Sequence, residues 1–298
     1  MVSSFVHTIS ERGVSIRVSG NSDGEMENVY TVGQDLFDAP SAWHPADVSF
    51  STDNTLLDVY LPDTSTIVTY KVDDIYTGET YVGTGGTTES SCLYMGTTSH
   101  DLLIVVDAST LYRFERTGEG ALSAIDNVTI EQGTVMASSA TADPTGDWVV
   151  IMVYQTLYSY YVGDETIELS QTVVGDAAIE DSKFIEITPD SKSVYLASNG
   201  NSGLAYNDAT VNVSTGHFFL GSTFTTQTTW ETDFVAVHPD GTRLYAGEKS
   251  YGKIRDYVRD PLDGSLDEPC IDVNDINLVA NRMLVSPNGM YLYVSHRR

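Results

Sequence analysis

The sequence has little lysine, almost no cysteine and no long apolar run. Five lysines and ten arginines stand against 42 aspartates and glutamates, for a formal net charge of −27. A surface that acidic repels nucleic acid and anionic membranes, so no nucleic-acid partner is expected. Basic patches are missing apart from the terminal His296-Arg297-Arg298. No stretch approaches the ~18 apolar residues of a membrane-crossing helix, which argues against membrane insertion. The first residues, MVSSFVHTIS, lack the basic and apolar regions of a signal peptide, so none is expected. Two cysteines, Cys92 and Cys270, are too few for a disulfide framework and read as buried free thiols. There is no G-x-S-x-G elbow, no phosphate-binding P-loop and no H-E-x-x-H zinc motif. The Gly-rich GTGG at 83–86 has no following lysine or helix and does not suit phosphate.

What is present begins with the charge. Scarce lysine, abundant aspartate and long Thr and Ser runs resemble the proteins of extreme halophiles. In molar salt the Debye length falls to about 3 Å and the self-repulsion of such a surface is screened. The expected location is therefore the cytoplasm of a halophilic host or the surface of a virion from one. Apolar residues make up 41% and aromatics 10%, too many for a disordered acidic chain.

Helical periodicity is nearly absent, and short apolar strands recur along the whole chain, so the fold class is all-β. The clearest unit is FVAVHPDGTRLYAGE (234–248): an alternating strand, a Pro-Asp-Gly turn, then a strand carrying Leu-Tyr. Proline presets φ for such a turn and glycine supplies its left-handed position. The unit returns as FIEITPDSKSVYLAS (184–198) and MLVSPNGMYLYVS (283–295). It is recognisable in VSFSTDNTLLDVY (48–60) and ATADPTGDWVVIMV (140–153), and weakest in LYMGTTSHDLLIVV (93–106). Aligned on Asp240, the equivalents are Asp53, Thr98, Thr145, Asp190 and Asn288, spaced 45 to 50 residues apart. After each pair comes a third strand rich in Tyr or Phe, such as STLYRFER (109–116) or GKIRDYVRD (252–260), and then a more polar fourth. Four antiparallel strands in about 45 residues describe a β-propeller blade.

The last unit stops at Arg298 after two strands. The opening residues offer SFVHTIS, a turn at Glu11-Arg12-Gly13, and VSIRVS. The expectation is a composite closing blade, inner strands from the C-terminus and outer strands from residues 1–19. Such closure removes free sheet edges. From Asn288 through the joined ends to Asp53, the spacing exceeds one unit and falls short of two. The count is therefore six blades in one domain spanning 1–298, with 46–298 carrying the repeats. The surplus is an insertion at 20–45 with a strand of its own, NVYTVG; seven blades are the alternative.

The motif HPDGTRLYAGEKSYGKIRDYVRDPLDGSL resembles the repeat of the lactonase-like and YVTN-type propellers. So does SPNGMYLYVSHRR joined to SFVHTISERG. The resemblance covers the chain from about residue 46 onward plus the first 20 residues. It implies the propeller fold. That family usually has seven blades, and an axial constellation changes with blade number, so no catalytic residue is carried over.

Propeller ligands meet the axis or the loops of one face. The segments just before the inner strands hold His44 and Asp47, Glu180 and Asp181, Glu231 and Asp233, and Asn281 and Arg282. Converging carboxylates suit Ca²⁺, a hard cation that prefers oxygen, and no other cofactor is expected. Trp43 and Trp230 flank the same mouth, where an aromatic ring in polar surroundings suits a sugar or a protein loop. Trp148, inside a strand, is expected in the core, and His238 reads as a turn residue.

Three functions follow. The foremost is a non-enzymatic recognition or structural propeller, such as the receptor-binding spike of a particle from a hypersaline habitat. Its expected partner is a protein or glycan, in a homo-oligomer or in assembly with other particle proteins. The second is a hydrolase acting on a sugar lactone. The third is a YVTN-like cell-surface protein.

Overall fold

In the computed structural model, the described backbone covers residues 5–10, 13–19, 26–33, 47–53, 55–61, 65–71, 83–87, 92–117, 121–130, 137–174, 182–198, 203–211, 218–221, 225–228, 231–248, 253–267, 271–273, 279–285, 289 and 292–297. These residues form 26 β-strands and, among them, no helix. The chain divides into two compact units, Met1–Glu131 and Gln132–Arg298.

The first unit contains three sheets. β1 (Phe5–Ser10), β2 (Gly13–Ser19) and β3 (Met26–Gly33) form one, in chain order. β4 (Asp47–Phe50), β5 (Leu56–Leu61), β6 (Thr66–Lys71) and β7 (Gly83–Thr87) form the next. β8 (Tyr94–Thr97), β9 (Leu103–Val106), β10 (Thr110–Arg116) and β11 (Leu122–Thr129) form the third. β4 runs beside β8, and β7 beside β11, so the second and third sheets stack strand for strand.

The second unit repeats the plan. β12 (Ser139–Ala142), β13 (Trp148–Val153), β14 (Thr156–Val162) and β15 (Ile167–Val174) are followed by β16 (Ser182–Ile187), β17 (Ser193–Ser198) and β18 (Leu204–Val211). The outer edge of β18 is shared by β19 (Phe218–Leu220) and β20 (Thr225–Thr228). β21 (Phe234–Val237), β22 (Arg243–Glu248), β23 (Lys253–Val258) and β24 (Ile271–Val273) make the next sheet, and β25 (Val279–Val285) pairs with β26 (Leu292–Arg297) in the last. The first strands of consecutive sheets, β12, β16, β21 and β25, lie side by side in that order. Within its own unit Phe5 pairs with Val18 across β1 and β2, Tyr293 pairs with Leu284 across β26 and β25, and NVYTVG falls within β3.

The strand patterns explain this stacking. Three of the second strands are buried on both faces: all of β9, β13 and β17 is buried. A strand sandwiched between neighbouring sheets needs no polar side, which is why LIVV and WVVIMV show no alternation. The fourth strands β11 and β15 are largely exposed, so they carry the polar residues. Trp148 packs against its cross-strand neighbour Tyr161 within the sheet and against Phe218 of the next sheet, with ring centroids 4.9 and 6.3 Å away. It is buried with Val150, Leu196 and Phe218, as expected for a core tryptophan.

Each first-to-second-strand turn is built alike. The residue entering the turn (Asp143, Thr188, His238) receives the N–H of the residue three further on and donates its own N–H to the start of the next strand. The residue three on is left-handed: Gly146, Ser191 and Gly241 have φ of 74°, 54° and 75°. That is a type I turn closed by a left-handed residue, and glycine fits it without strain. A side chain at the entering position then completes the loop. Ser51 Oγ donates to Asp53 (2.7 Å) and accepts from Leu56 N (2.9 Å); Thr188 Oγ1 does the same with Asp190 (2.5 Å) and Ser193 N (3.1 Å). Hydrogen bonds from Thr55 N–H and from the Ser51 and Thr55 hydroxyls hold the exposed Asp53 carboxyl down at about 2.

The weak repeat is a corrected one. Thr98, aligned above with Asp240, occupies the entering position instead: its N–H reaches Leu102 O and it accepts from Asp101 N. The loop to Leu102 is one residue shorter than that from His238 to Arg243, so the alignment slipped there.

Buried arginines tie consecutive sheets. Arg116, from β10, donates through both terminal nitrogens to Asp58 of β5 (3.1 and 2.5 Å), which also accepts from Thr69 (2.6 Å). Asp58 is fully buried and the Arg116 side chain 5% exposed. Burial works against the Arg116 charge, but the hydrogen bond and charge of Asp58, with help from Asp101, raise its pKa. In the second unit, Arg259 is buried after β23 and donates to Tyr195 Oη (3.1 Å), Ser193 Oγ (2.9 Å), Gly241 O (2.8 Å) and Asp190 (3.3 Å). Removing one partner of such a buried pair costs about 3 kcal/mol or more. At the rim, the Gln171 side chain accepts from Leu220 N (2.7 Å) and donates to Leu220 O (2.9 Å), joining β15 to β19.

Asp143 replaces the usual hydroxyl residue at its turn, and burial raises its carboxyl above the usual range despite hydrogen bonds from Thr145 and Trp148 N. A carboxyl raised on folding lowers stability at neutral pH, and that penalty fades as pH falls below its folded pKa. Asp143→Thr keeps an acceptor for Trp148 N–H without the charge. It is expected to raise the melting temperature at pH 7 by about 1–2 °C, and by less at pH 3, in paired calorimetric scans.

Candidate functional site

The candidate mouth is built where chain segments enter the inner strands. Around β21 the structure describes it well. Thr232 N donates to Ser198 O at 2.9 Å, at the end of β17, and Asp233 N donates to Gly247 O at 2.9 Å, in β22. The segment is therefore pinned both to the preceding sheet and to its own. Thr232 and Asp233 are buried, and Glu231 just before them is exposed. One carboxylate thus sits in a fixed frame and the next faces solvent.

The other expected residues divide as follows. Asp47 is the first residue of β4, opposite Tyr60; its side chain lies outside the described set. Arg282 was expected in a loop before its strand. It sits instead within β25, opposite Ser295, beside a register shift between Ala280 and Arg282. Apolar Val279 and Ala280 extend β25 toward the N-terminus, which is why the strand begins earlier than the Met-Leu-Val run suggested. β25 lies beside β21 in the same unit. Trp43, His44, Glu180, Asp181 and Trp230 lie outside the described residues. Asp181 immediately precedes β16, which runs beside β21. Among the described residues, no three His, Cys, Asp or Glu side chains gather as a metal site would require. Cys92, expected to be buried, is half-buried with its Sγ donating to Tyr94 O at 3.2 Å, and Cys270 lies outside the described set.

Sequence reading missed the arginine ties. Their only signal is position: Arg116 and Arg259 both close a third strand, in RFER and DYVR. Arg113 and Arg255 are also buried, so four of the ten arginines are withdrawn from the surface. Arg113 makes a two-point pair with Asp126 (2.8 and 2.9 Å). Carboxylates are withdrawn with them: Asp58, Asp107, Asp143, Asp233 and Asp256 are also buried, so burial removes charge of both signs from the surface.

No family model and no curated protein matches the sequence. Solved structures do. A Bacteroides uniformis protein assigned as a 6-phosphogluconolactonase superposes over 99% of this chain and 89% of its own, with TM-score 0.75 at 17% identity. The periplasmic gluconolactonase of Pseudomonas aeruginosa matches over 91% of this chain and 96% of its own, with TM-score 0.52 at 14% identity. The WD40 repeats of RRP9 match over 98% and 84%, with TM-score 0.68 at 10% identity. The chain has the fold of the lactonase-like and YVTN-type β-propellers. At these identities the likeness is one of fold.

Proposed function

We propose that the protein is a non-enzymatic recognition propeller that presents loops at its strand ends to a protein partner. The observation that carries this reading is the division of labour in the structure. Buried ties such as Arg116–Asp58 and Arg259–Asp190 brace the sheets, so the loops can carry recognition without holding the core. The likeness to the WD40 repeats of RRP9 favours a protein partner. The net charge of −27 favours a partner with a basic contact face, or work in concentrated salt. The finer form of the proposal is an exposed component of a particle from a hypersaline habitat, supported by the net charge of −27. In that case the melting temperature rises by 10 °C or more between about 0.1 and 3 M KCl, as screening removes self-repulsion. A melting temperature that falls with added chloride removes the hypersaline component.

The second reading, a sugar-lactone hydrolase, is favoured by the two lactonase structures. A hydrolysis assay on glucono- and 6-phosphogluconolactone, with and without Ca²⁺, separates the two. The recognition reading expects no turnover above the buffer rate. Turnover that is lost in Asp181→Ala and Asp233→Ala would replace it with the hydrolase.

We further propose six blades, with the two-stranded β25–β26 sheet completed by strands from residues 1–19. The two-strand width of that sheet, against four in its neighbour β21–β24, supports this. Seven blades gain support from the count of seven separately bonded sheets among the described residues. Hydrogen exchange decides between them. Under composite closure, deleting residues 1–19 unprotects the amides of β26; unchanged protection there favours seven.

A further inference from the structure

Six large apolar side chains stand exposed among the described residues. Ile125, Leu169, Val174 and Phe219 lie on the outermost strands β11, β15 and β19, and Tyr154 lies in the β13–β14 turn. Leu262, in the loop after β23, is 88% exposed, the most of the six. A lone apolar side chain on a surface is ordinary. What marks Leu262 is how firmly its loop is held. Asp260 Oδ1 accepts the Leu262 N–H at 2.7 Å, and the Asp260 carbonyl accepts the Gly264 N–H at 2.8 Å. Asp263 Oδ1 accepts both the N–H and the hydroxyl of Ser265, at 2.9 and 2.6 Å. Asp260 N donates to Ser265 O and Asp267 N to Val258 O, which closes the loop at its base. Pro261 brings no N–H that needs a partner. Gly264 is buried with φ of 73°, and its carbonyl accepts from the Tyr195 hydroxyl of the preceding sheet. Leu266 packs against the cluster that holds Tyr195, Leu244 and Tyr257.

The same loop carries charge of one sign. Asp260, Asp263 and Asp267 are all exposed on either side of Leu262. The hydrogen bonds from Ser265 hold the Asp263 carboxyl below its ordinary range, so it stays charged. The one cation of residues 258–267, Arg259, is buried and engaged with Asp190. We propose that residues 260–267 form a preformed knob that seats Leu262 in an apolar socket of a protein partner, with lysine or arginine on the socket rim opposite the three carboxylates. This rests on the recognition reading above and names a face for it. The loop leaves β23 beside the β21–β22 turn, where Arg259 N donates to Thr242 O, so it lies at the far end of β21 from Asp233. A loop that must order on binding loses entropy at that moment, and this one is ordered beforehand. Leucine supplies apolar contact area, and the carboxylates select the partner by charge. A second copy of the chain fits poorly, because a net charge of −27 sets copies against one another.

The test selects binders to the full chain from a phage library of a small β-sandwich domain with randomised loops, which can form clefts. The enriched domains are purified and titrated calorimetrically against native and variant chains. Most are expected to carry lysine or arginine beside apolar residues in their loops, and to lose about tenfold or more in affinity for Leu262→Ala. The Leu262 side chain is exposed, so the variant is expected to melt with the native chain. Asp263→Asn and Asp267→Asn keep an acceptor oxygen without the charge. Each is expected to weaken the same domains by about threefold and to flatten the salt dependence of binding. Enriched domains that bind native chain and Leu262→Ala equally overturn the knob and leave recognition at another face standing. Failure to enrich any domain that needs Leu262 overturns it too. Binding that needs Leu262 but ignores both asparagine variants overturns the basic rim. Sedimentation covers the remaining occupant: a dimer of the native chain that Leu262→Ala abolishes would assign the knob to a second copy and overturn the partner named here. The recognition reading itself falls only to lactone turnover, which none of these measurements touches.

Discussion

A guanidinium buried between two β-sheets is the constraint around which each unit is organised. Apolar packing brings the sheets together but is indifferent to small slips along the strands. A two-point arginine–carboxylate contact is directional and tolerates little displacement. Arg116 fixes the sheet of β10 against that of β5 through Asp58, and Arg259 fixes the sheet of β23 against that of β17 through Ser193 and Tyr195. Tyr195 in turn donates to Gly264 O at 2.5 Å, which draws the loop after β23 into the same network. Such networks are costly to bury and costlier to leave incomplete. Sheet packing and loop anchoring both follow from where these few cations went.

The division between what was legible in the sequence and what was not follows from range. Turn chemistry is local, so the Pro-Asp-Gly run around Asp240 and its relatives at Asp53 and Asp190 revealed the repeat, the strand pairs and the fold. Where the local chemistry changed, reading failed: the shortened turn at Thr98 shifted the alignment. The extent of β25 was misjudged because Asn281 and Arg282 read as a polar loop although they sit inside a strand. The arginine ties escaped because they join residues distant in sequence, 58 positions apart for Arg116 and Asp58, and no local pattern marks them. Of the candidate mouth, the strand-entry placement of Asp47 and Asp233 was legible. Trp43, His44, Glu180, Asp181 and Trp230 lie outside the described residues, so their part in a site rests on position along the chain.

The same economy of cations links structure to function. Arg113, Arg116, Arg255 and Arg259 are committed to the interior together with carboxylates such as Asp58 and Asp256, and the chain as a whole keeps a net charge of −27. So acidic a chain discriminates strongly by charge at low ionic strength and weakly in brine, where contact shape and hydrogen bonding take over selection. A braced frame suits that regime because it holds loops in place without relying on long-range attraction. The shared fold of sugar-lactone enzymes and WD40 repeats shows how readily this frame accepts different loops.

The Gln171 amide has a consequence for the molecule in a crowd. By offering one acceptor and one donor to a single residue of β19, it imitates the edge of a further strand. Leu220 is thereby closed to recruitment by a stranger's backbone. Any fibre growing outward from this rim would first have to evict a side chain that already satisfies both hydrogen-bonding groups. Unlike repulsion between carboxylates, a safeguard of this kind does not weaken as salt is added.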